Sequence, residues 1–372
     1  MKAKKSTKAR KRKKPKEAAP GTLRIKADDL LIYEKTKKGW EKSAFKLPHA
    51  TLAIYLFKAN NNFDILIDKK DPRFVKGQLS PEGIPQGARI KVLPNGKELD
   101  KAYSLFAPHL SIHDERSEFH WNVIYKNKGG TYSYLYTLEK KKKFAMKKYQ
   151  AVEEFEKCYP ELERNVFKAL SDSSDPLAVP MYTLLKTLMR VGNETYYKMN
   201  QHQGLRTLKK ENILVKKDSV FFDFIGKDGV PMHLDAEFPD IYISRLKELL
   251  QDKDDNAFVF VNKDTGEPIK DTDFKDAFKR YCGKEFYPHI VRSYYATRRA
   301  REFLETCGHP TKEDVQQLCF SIAERLGHKR FVKKDGTWKE SYAVTVNHYI
   351  DPQLAERLKA AMVGKKSKQK KK

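Results

Sequence analysis

Residues 321–354 read SIAERLGHKRFVKKDGTWKESYAVTVNHYIDPQL. The stretch opens as an amphipathic helix with Ile322, Ala323 and Leu326 on one face, and breaks at Gly327. It presents His328 at the break and passes through a loop rich in Lys and Gly. It then turns helical again and presents Tyr349 just before Pro352. A His at a helix end and a Tyr on the next helix suit phosphoryl transfer. The phenol supplies an oxygen nucleophile on a rigid arm, and the imidazole supplies a hydrogen bond to a phosphate oxygen.

Working outward, three upstream stretches offer cations to the same phosphate. Arg190 follows the apolar run LAVPMYTLLKTLM, close to Gly192. An Arg at the wet end of a buried segment needs an anion, either a phosphate or a structural carboxylate such as Glu194. SVFFDFIGKDGVPMHL reads as a β-hairpin whose tip holds Lys227. There an ammonium could protonate a departing alkoxide or simply be solvated. FYPHIVRSYYATRRAREFLETCG begins a helix at Pro288, with His289 and Arg292 one turn apart. Planar Arg suits bidentate phosphate contact. Arg298, Arg299 and Arg301 follow, to pair with DNA phosphates or with solvent.

The chain of 372 residues carries 75 Lys and Arg against 49 Asp and Glu, a net charge of +26. Ten cations against one Glu lie in residues 1–18, and six Lys lie in residues 364–372. Removing both tails still leaves a body of net charge +11, which points to a polyanion, nucleic acid first. The hydrophobic fraction of 40% is enough for real cores. No apolar run is long enough to span a membrane, and the Lys-rich start does not read as a secretory signal. Cys158, Cys282, Cys307 and Cys319 show no C-x-x-C pairing, which argues against a zinc site or disulfide framework and for a reducing compartment.

The fold class expected is α+β. Residues 1–20 read as a disordered basic tail, 21–139 as a β-rich domain, 140–363 as a mostly helical domain, and 364–372 as a second basic tail. Strands are expected at TLAIYLF, FDILID and ARIKVL, and again at AFVFV. A hairpin is expected from EFHWNVIYK to TYSYLYTL, with Tyr132, Tyr134 and Tyr136 on one face. That row suits either DNA contact or a sheet core.

LMRVGNETYY with GLRTLKKENI, FDFIGKDGV, HIVRSYYAT, AERLGH and AVTVNHYIDPQL resemble, in order, the motifs of type IB DNA topoisomerases. The smaller poxviral and bacterial-type members are most similar, over roughly residues 118–356. The resemblance implies that residues 140–363 are a catalytic domain of the fold shared with tyrosine recombinases and that residues 21–139 are a DNA-binding domain. It also implies an ATP- and metal-independent enzyme that nicks one strand through a 3′-phosphotyrosyl intermediate and reseals it. Arg190, Lys227, Arg292 and His328 would surround the scissile phosphate, and Tyr349 would attack it. No cofactor is expected. The expected partner is duplex DNA, clamped by a monomer, with His289, Arg298 and the three tyrosines among its contacts. The compartment would follow the DNA: nucleus, viral factory or nucleoid.

Two features depart from the family pattern. His328 and Tyr349 stand further apart than usual, which leaves an insert within residues 329–342 that could touch DNA and keeps Tyr342 as an alternative nucleophile. His289 stands where topoisomerases more often carry Lys and resembles the H-x-x-R of tyrosine recombinases. A site-specific recombinase is therefore the alternative activity, and a non-enzymatic DNA-binding protein the alternative class.

Overall fold

The computed structural model describes residues 18–87, 89–113, 121–128, 130–192, 194–262 and 264–363. The expected tails fall almost wholly outside these residues, as do residues 118–120 of the expected hairpin. The chain divides into two compact units, one ending at Phe144 and one beginning at Ala145.

The first unit is built on short antiparallel strands. Its five-stranded sheet runs Trp40–Lys42, Ile32–Lys35, Leu23–Ile25, Gln78–Leu79, Pro85–Gln86. A three-stranded sheet follows the order Tyr132–Leu135, Val123–Lys126, Ser111–Ile112. Tyr132 and Tyr134 are exposed on it, so neither is a core residue. Tyr136 lies edge-on against Phe144 at 5.9 Å.

Two strand expectations fail here. TLAIYLF lies in the α-helix Pro48–Ala59. Its buried residues Ala50, Ala53, Ile54 and Phe57 recur at helical spacing, and Pro48 sits in the first turn, where its missing N–H costs nothing. A short apolar run is ambiguous between strand and helix, and Pro48 was the signal that decides it. FDILID likewise forms a 3₁₀ turn, Phe63–Leu66, whereas ARIKVL does contain the strand Ile90–Val92.

The second unit is mostly helical. The helix Leu138–Ala169 enters it and buries Tyr149, Val152, Phe155, Leu162 and Val166 along one stripe. Phe155 is ringed edge-on by Phe278, Phe286 and Tyr294 at 5.1–5.9 Å. The helix Ala178–Thr187 is buried on nearly every side, which explains its largely apolar sequence. It stops at Leu188, which is left-handed (φ 58°), so Arg190 lies just past the helix, in neither helix nor strand.

The helices Asp240–Leu250, Asp271–Cys282, Ile290–Thr306 and Lys312–Arg325 complete the body. AFVFV is not a regular strand. It makes only single bridges, Lys209↔Phe258 and Val261↔Pro268. The expected GKDG hairpin is present: Ser219–Ile225 pairs antiparallel with Pro231–Glu237 through a turn at Lys227–Gly229. Val220, Phe222 and Phe224 point inward at period two. The insert expected as a loop is instead a second hairpin, Lys329–Val332 against Thr337–Glu340. No helix of the described residues is long and apolar enough to cross a membrane.

Candidate active site

The helix Lys312–Arg325 begins with a capping box, in which the Thr311 hydroxyl accepts from the Asp314 N–H at 3.2 Å. At its other end Gly327 turns left-handed (φ 64°). The His328 N–H reaches back to the Ala323 carbonyl at 2.8 Å, and the Gly327 N–H to that of Glu324 at 2.9 Å. These are the two bonds of a Schellman cap. The cap fixes where His328 points. Its Nδ1 is 2.7 Å from the Thr345 hydroxyl and its Nε2 is 3.3 Å from the Arg292 guanidinium. Because guanidinium only donates, Nε2 accepts, and Nδ1–H donates to Thr345.

Arg292 stands on the first turn of Ile290–Thr306 and is 2% exposed. Its guanidinium donates to the carbonyls of Leu188 and, at 2.7 Å, Leu326. Its buried Nε has no partner among the described residues. Among the described residues no carboxylate forms an ion pair with Arg292 or with Arg190. Glu194, the carboxylate that might have held Arg190, pairs instead with Lys198 at 2.5 Å and Arg206 at 3.6 Å. Burial pushes the Arg292 pKa down to about 10, which still leaves it cationic at neutral pH. A buried, uncompensated cation is costly unless an anion arrives.

Arg190, Lys227, Arg292 and His328 line one cleft, together with Lys329. Lys227 is exposed at its hairpin tip. Tyr349 ends the short helix Ala343–His348 and is 3% exposed. Its ring centroid is 4.6 Å from that of His328, 4.9 Å from that of His289 and 5.3 Å from the Arg292 guanidinium carbon. Tyr349 thus packs against two residues of the cleft wall without lining the cleft itself. Tyr342, the alternative nucleophile, lies edge-on to Phe320 at 4.7 Å and takes a long hydrogen bond from Gln316. Arg298 pairs with Glu302 at 2.7 Å, and Arg301 pairs with Glu156 at 2.7 Å.

Sequence reading missed three supports. Lys148 donates to the His348 carbonyl at 2.5 Å, and its ammonium lies 5.4 Å from the Tyr349 ring centroid. Burial lowers its pKa to about 8. The signal was there: Lys148 stands four residues before Val152 and seven before Phe155, on the buried stripe of its helix. Thr345 orients His328, and the Thr297 hydroxyl bridges the Tyr349 carbonyl (3.3 Å) and the Asp351 N–H (3.1 Å).

Backbone contact fixes Arg190. The Leu205 and Arg206 N–H groups donate to the carbonyls of Arg190 and Val191, both at 2.9 Å. A Cβ on Gly204 would meet the Arg190 carbonyl oxygen and the Gly192 Cα at 2.6 Å. Gly204→Ala must push the Arg190 segment away. A shift of about 1 Å is expected to slow the chemical step on the order of 10²-fold. Single-turnover rates at saturating substrate check this.

The cluster is electrostatically unusual. Burial first, then Arg292, Arg190, Lys148 and His328, holds the His289 pKa down to about 2. Burial, then Arg292, Arg190 and His348, holds that of His328 down to about 3. Both imidazoles are neutral in the folded protein, whereas the unfolded chain protonates them near pH ~6.5. Stability is therefore full above about pH 6.5 and falls on acidification toward about pH 3, at up to about 1.4 kcal/mol per pH unit for each imidazole. Urea midpoints at about pH 7 and about pH 5 should differ accordingly, and His289→Phe should reduce the difference.

A family model described as eukaryotic DNA topoisomerase I, catalytic core, matches residues 137–358. The chain is 30% identical over 99 residues to DNA topoisomerase I of Monkeypox virus and to DNA topoisomerase 1B of Vaccinia virus (strain Copenhagen). Each alignment covers 27% of this chain and 32% of the relative, so the chain spans about a third of the length of the curated relatives it matches. A crystal structure of XerA recombinase overlaps 54% of this chain and 62% of its own at 19% identity, with a TM-score of 0.33. That score is too low to establish a shared fold. The family match takes in more than half of the 372 residues and every residue of the cluster, and the chain belongs to the DNA topoisomerase I catalytic-core family.

Proposed function

We propose that this protein is a type IB DNA topoisomerase, acting as a monomer on duplex DNA wherever its host keeps that DNA. The observation that carries the reading is the buried Arg292. It has no carboxylate partner among the described residues, shares its cleft with Arg190 and His328, and touches the Tyr349 ring. A phosphodiester supplies the missing negative charge, and the phenol stands beside it.

In the proposed reaction the Tyr349 oxygen attacks the scissile phosphorus and forms the phosphotyrosyl bond as the bond to the 5′ oxygen breaks. The phenol gives up its proton to water, and Lys227 protonates the departing 5′ oxygen. Arg190, Arg292 and His328 donate to the non-bridging oxygens, where charge grows in the pentacoordinate state. Free His328 donates through Nδ1 to Thr345. Donation to phosphate calls for a proton on Nε2, which an anion in the cleft favours by offsetting the repulsion from Arg292 and Arg190. The phosphotyrosine conserves the energy of the broken linkage, so attack by the 5′ hydroxyl reseals the strand without ATP. Tyr349 is nearly closed to solvent, so its short helix must yield slightly when DNA fills the cleft.

The test is relaxation of supercoiled plasmid in EDTA without ATP. Relaxation supports the reading, and an inactive wild-type protein at low salt rejects it. His289 beside Tyr349 favours a second reading, site-specific recombination. Exchange between two cognate DNA sites by a multimer would select it.

A further inference from the structure

The hairpin Lys329–Val332/Thr337–Glu340 springs directly from His328, and its base is closed by a bond from the Ser341 N–H to the His328 carbonyl at 3.2 Å. One face leans on the neighbouring hairpin that carries Lys227. Lys329 donates to the Pro231 carbonyl at 3.4 Å, and the Trp338 ring lies beside Gly229, two residues from Lys227. Phe331 packs on Trp338 at 5.3 Å and is still 47% exposed.

The other face is electrostatically unfinished. Arg330 and Lys339 stand directly opposite each other, both exposed. Like charges at cross-strand positions are destabilising. Lys339 is paired with Asp335 at 2.6 Å, and Glu340 faces Lys329 at 3.9 Å. That engages both acids of the hairpin. Among the described residues no carboxylate forms an ion pair with Arg330, Lys333 or Lys334, all of which are exposed. A two-stranded hairpin is marginal by itself. This one holds three uncompensated cations and an exposed ring at the mouth of a phosphate-suited cleft.

We propose that this hairpin is a second DNA-contacting element, in which Arg330, Lys333 and Lys334 hold phosphates of the duplex next to the scissile one. The proposal rests on the topoisomerase reading only for the duplex that passes over the cleft. Because the hairpin packs on the Lys227 turn, the DNA it grips is the side that carries the departing 5′ oxygen.

The test uses full-length protein carrying Tyr349→Phe, which separates binding from cleavage. Duplex affinity is measured from about 50 to about 300 mM salt with and without Arg330→Ala, Lys333→Ala and Lys334→Ala combined. Each lost phosphate contact lowers the salt slope by about 1, so the triple variant should be shallower by about two to three and bind about 10–100-fold more weakly near 150 mM. A benzophenone placed at the exposed position 337, on the same face as Arg330, should crosslink to the duplex. An unchanged slope, or no crosslink while the protein is DNA-bound, overturns the proposal. Failure of the catalytic reading would show separately, as wild-type protein that forms no covalent adduct while the Tyr349→Phe pair still gives the slope comparison.

Discussion

Tyr349→Phe protein should bind duplex DNA normally, form no covalent adduct and relax no plasmid. The substitution removes one oxygen and leaves the ring contacts to His289 and His328 at 4.9 and 4.6 Å intact. Folding should therefore change little, and the loss is chemical. Losing a catalytic nucleophile costs on the order of 10⁶ in rate. Tyr342, turned toward Phe320 and Gln316, is not placed to substitute. Detergent-trapped adduct measured against time checks the outcome, and retained cleavage by Tyr349→Phe would remove Tyr349 from the mechanism.

Arg292→Ala should slow cleavage at saturating DNA on the order of 10²–10³-fold, the cost of losing one preorganised donor to an oxyanion. The loss should appear in the chemical step, because Arg190 and the basic surface still hold the duplex. Arg292→Lys should rescue poorly. One ammonium cannot hold the Leu188 and Leu326 carbonyls and a phosphate with the fixed fork of a guanidinium. Stability moves by two opposed terms: removing an unpaired buried cation helps, and orphaning two carbonyls costs. A deficit in cleavage rate much larger than any shift in unfolding midpoint is therefore the signature of a functional Arg. Equal loss of both would mark a structural one.

Much of this site was legible in local sequence. Leu326-Gly327-His328 writes a helix end, Pro288 writes a helix start one turn before Arg292, and the period-two pattern around Gly226 writes the Lys227 hairpin. Each rests on backbone rules that act within a few residues. What was not legible depends on the fold. The helix Pro48–Ala59 was hidden because a seven-residue apolar run fits either period. The hairpin in residues 329–340 looked like a loop because its outward face is charged and its inward face is set by contact with the Lys227 turn. Lys148 looked like one more solvated Lys in a Lys-rich helix, although its place on the buried stripe marked it. The neutrality of His289 and His328 arises from burial among cations that are distant in sequence.

The most direct measurement is mass spectrometry of the peptide trapped on DNA after detergent quench and nuclease digestion. The expected result is a phosphonucleotide on Tyr349, in the peptide that contains Asn347-His348-Tyr349-Ile350. A modified Tyr342, or wild-type protein that binds duplex and never carries a nucleotide, would contradict the convergence of these cations on a phosphate beside the Tyr349 phenol.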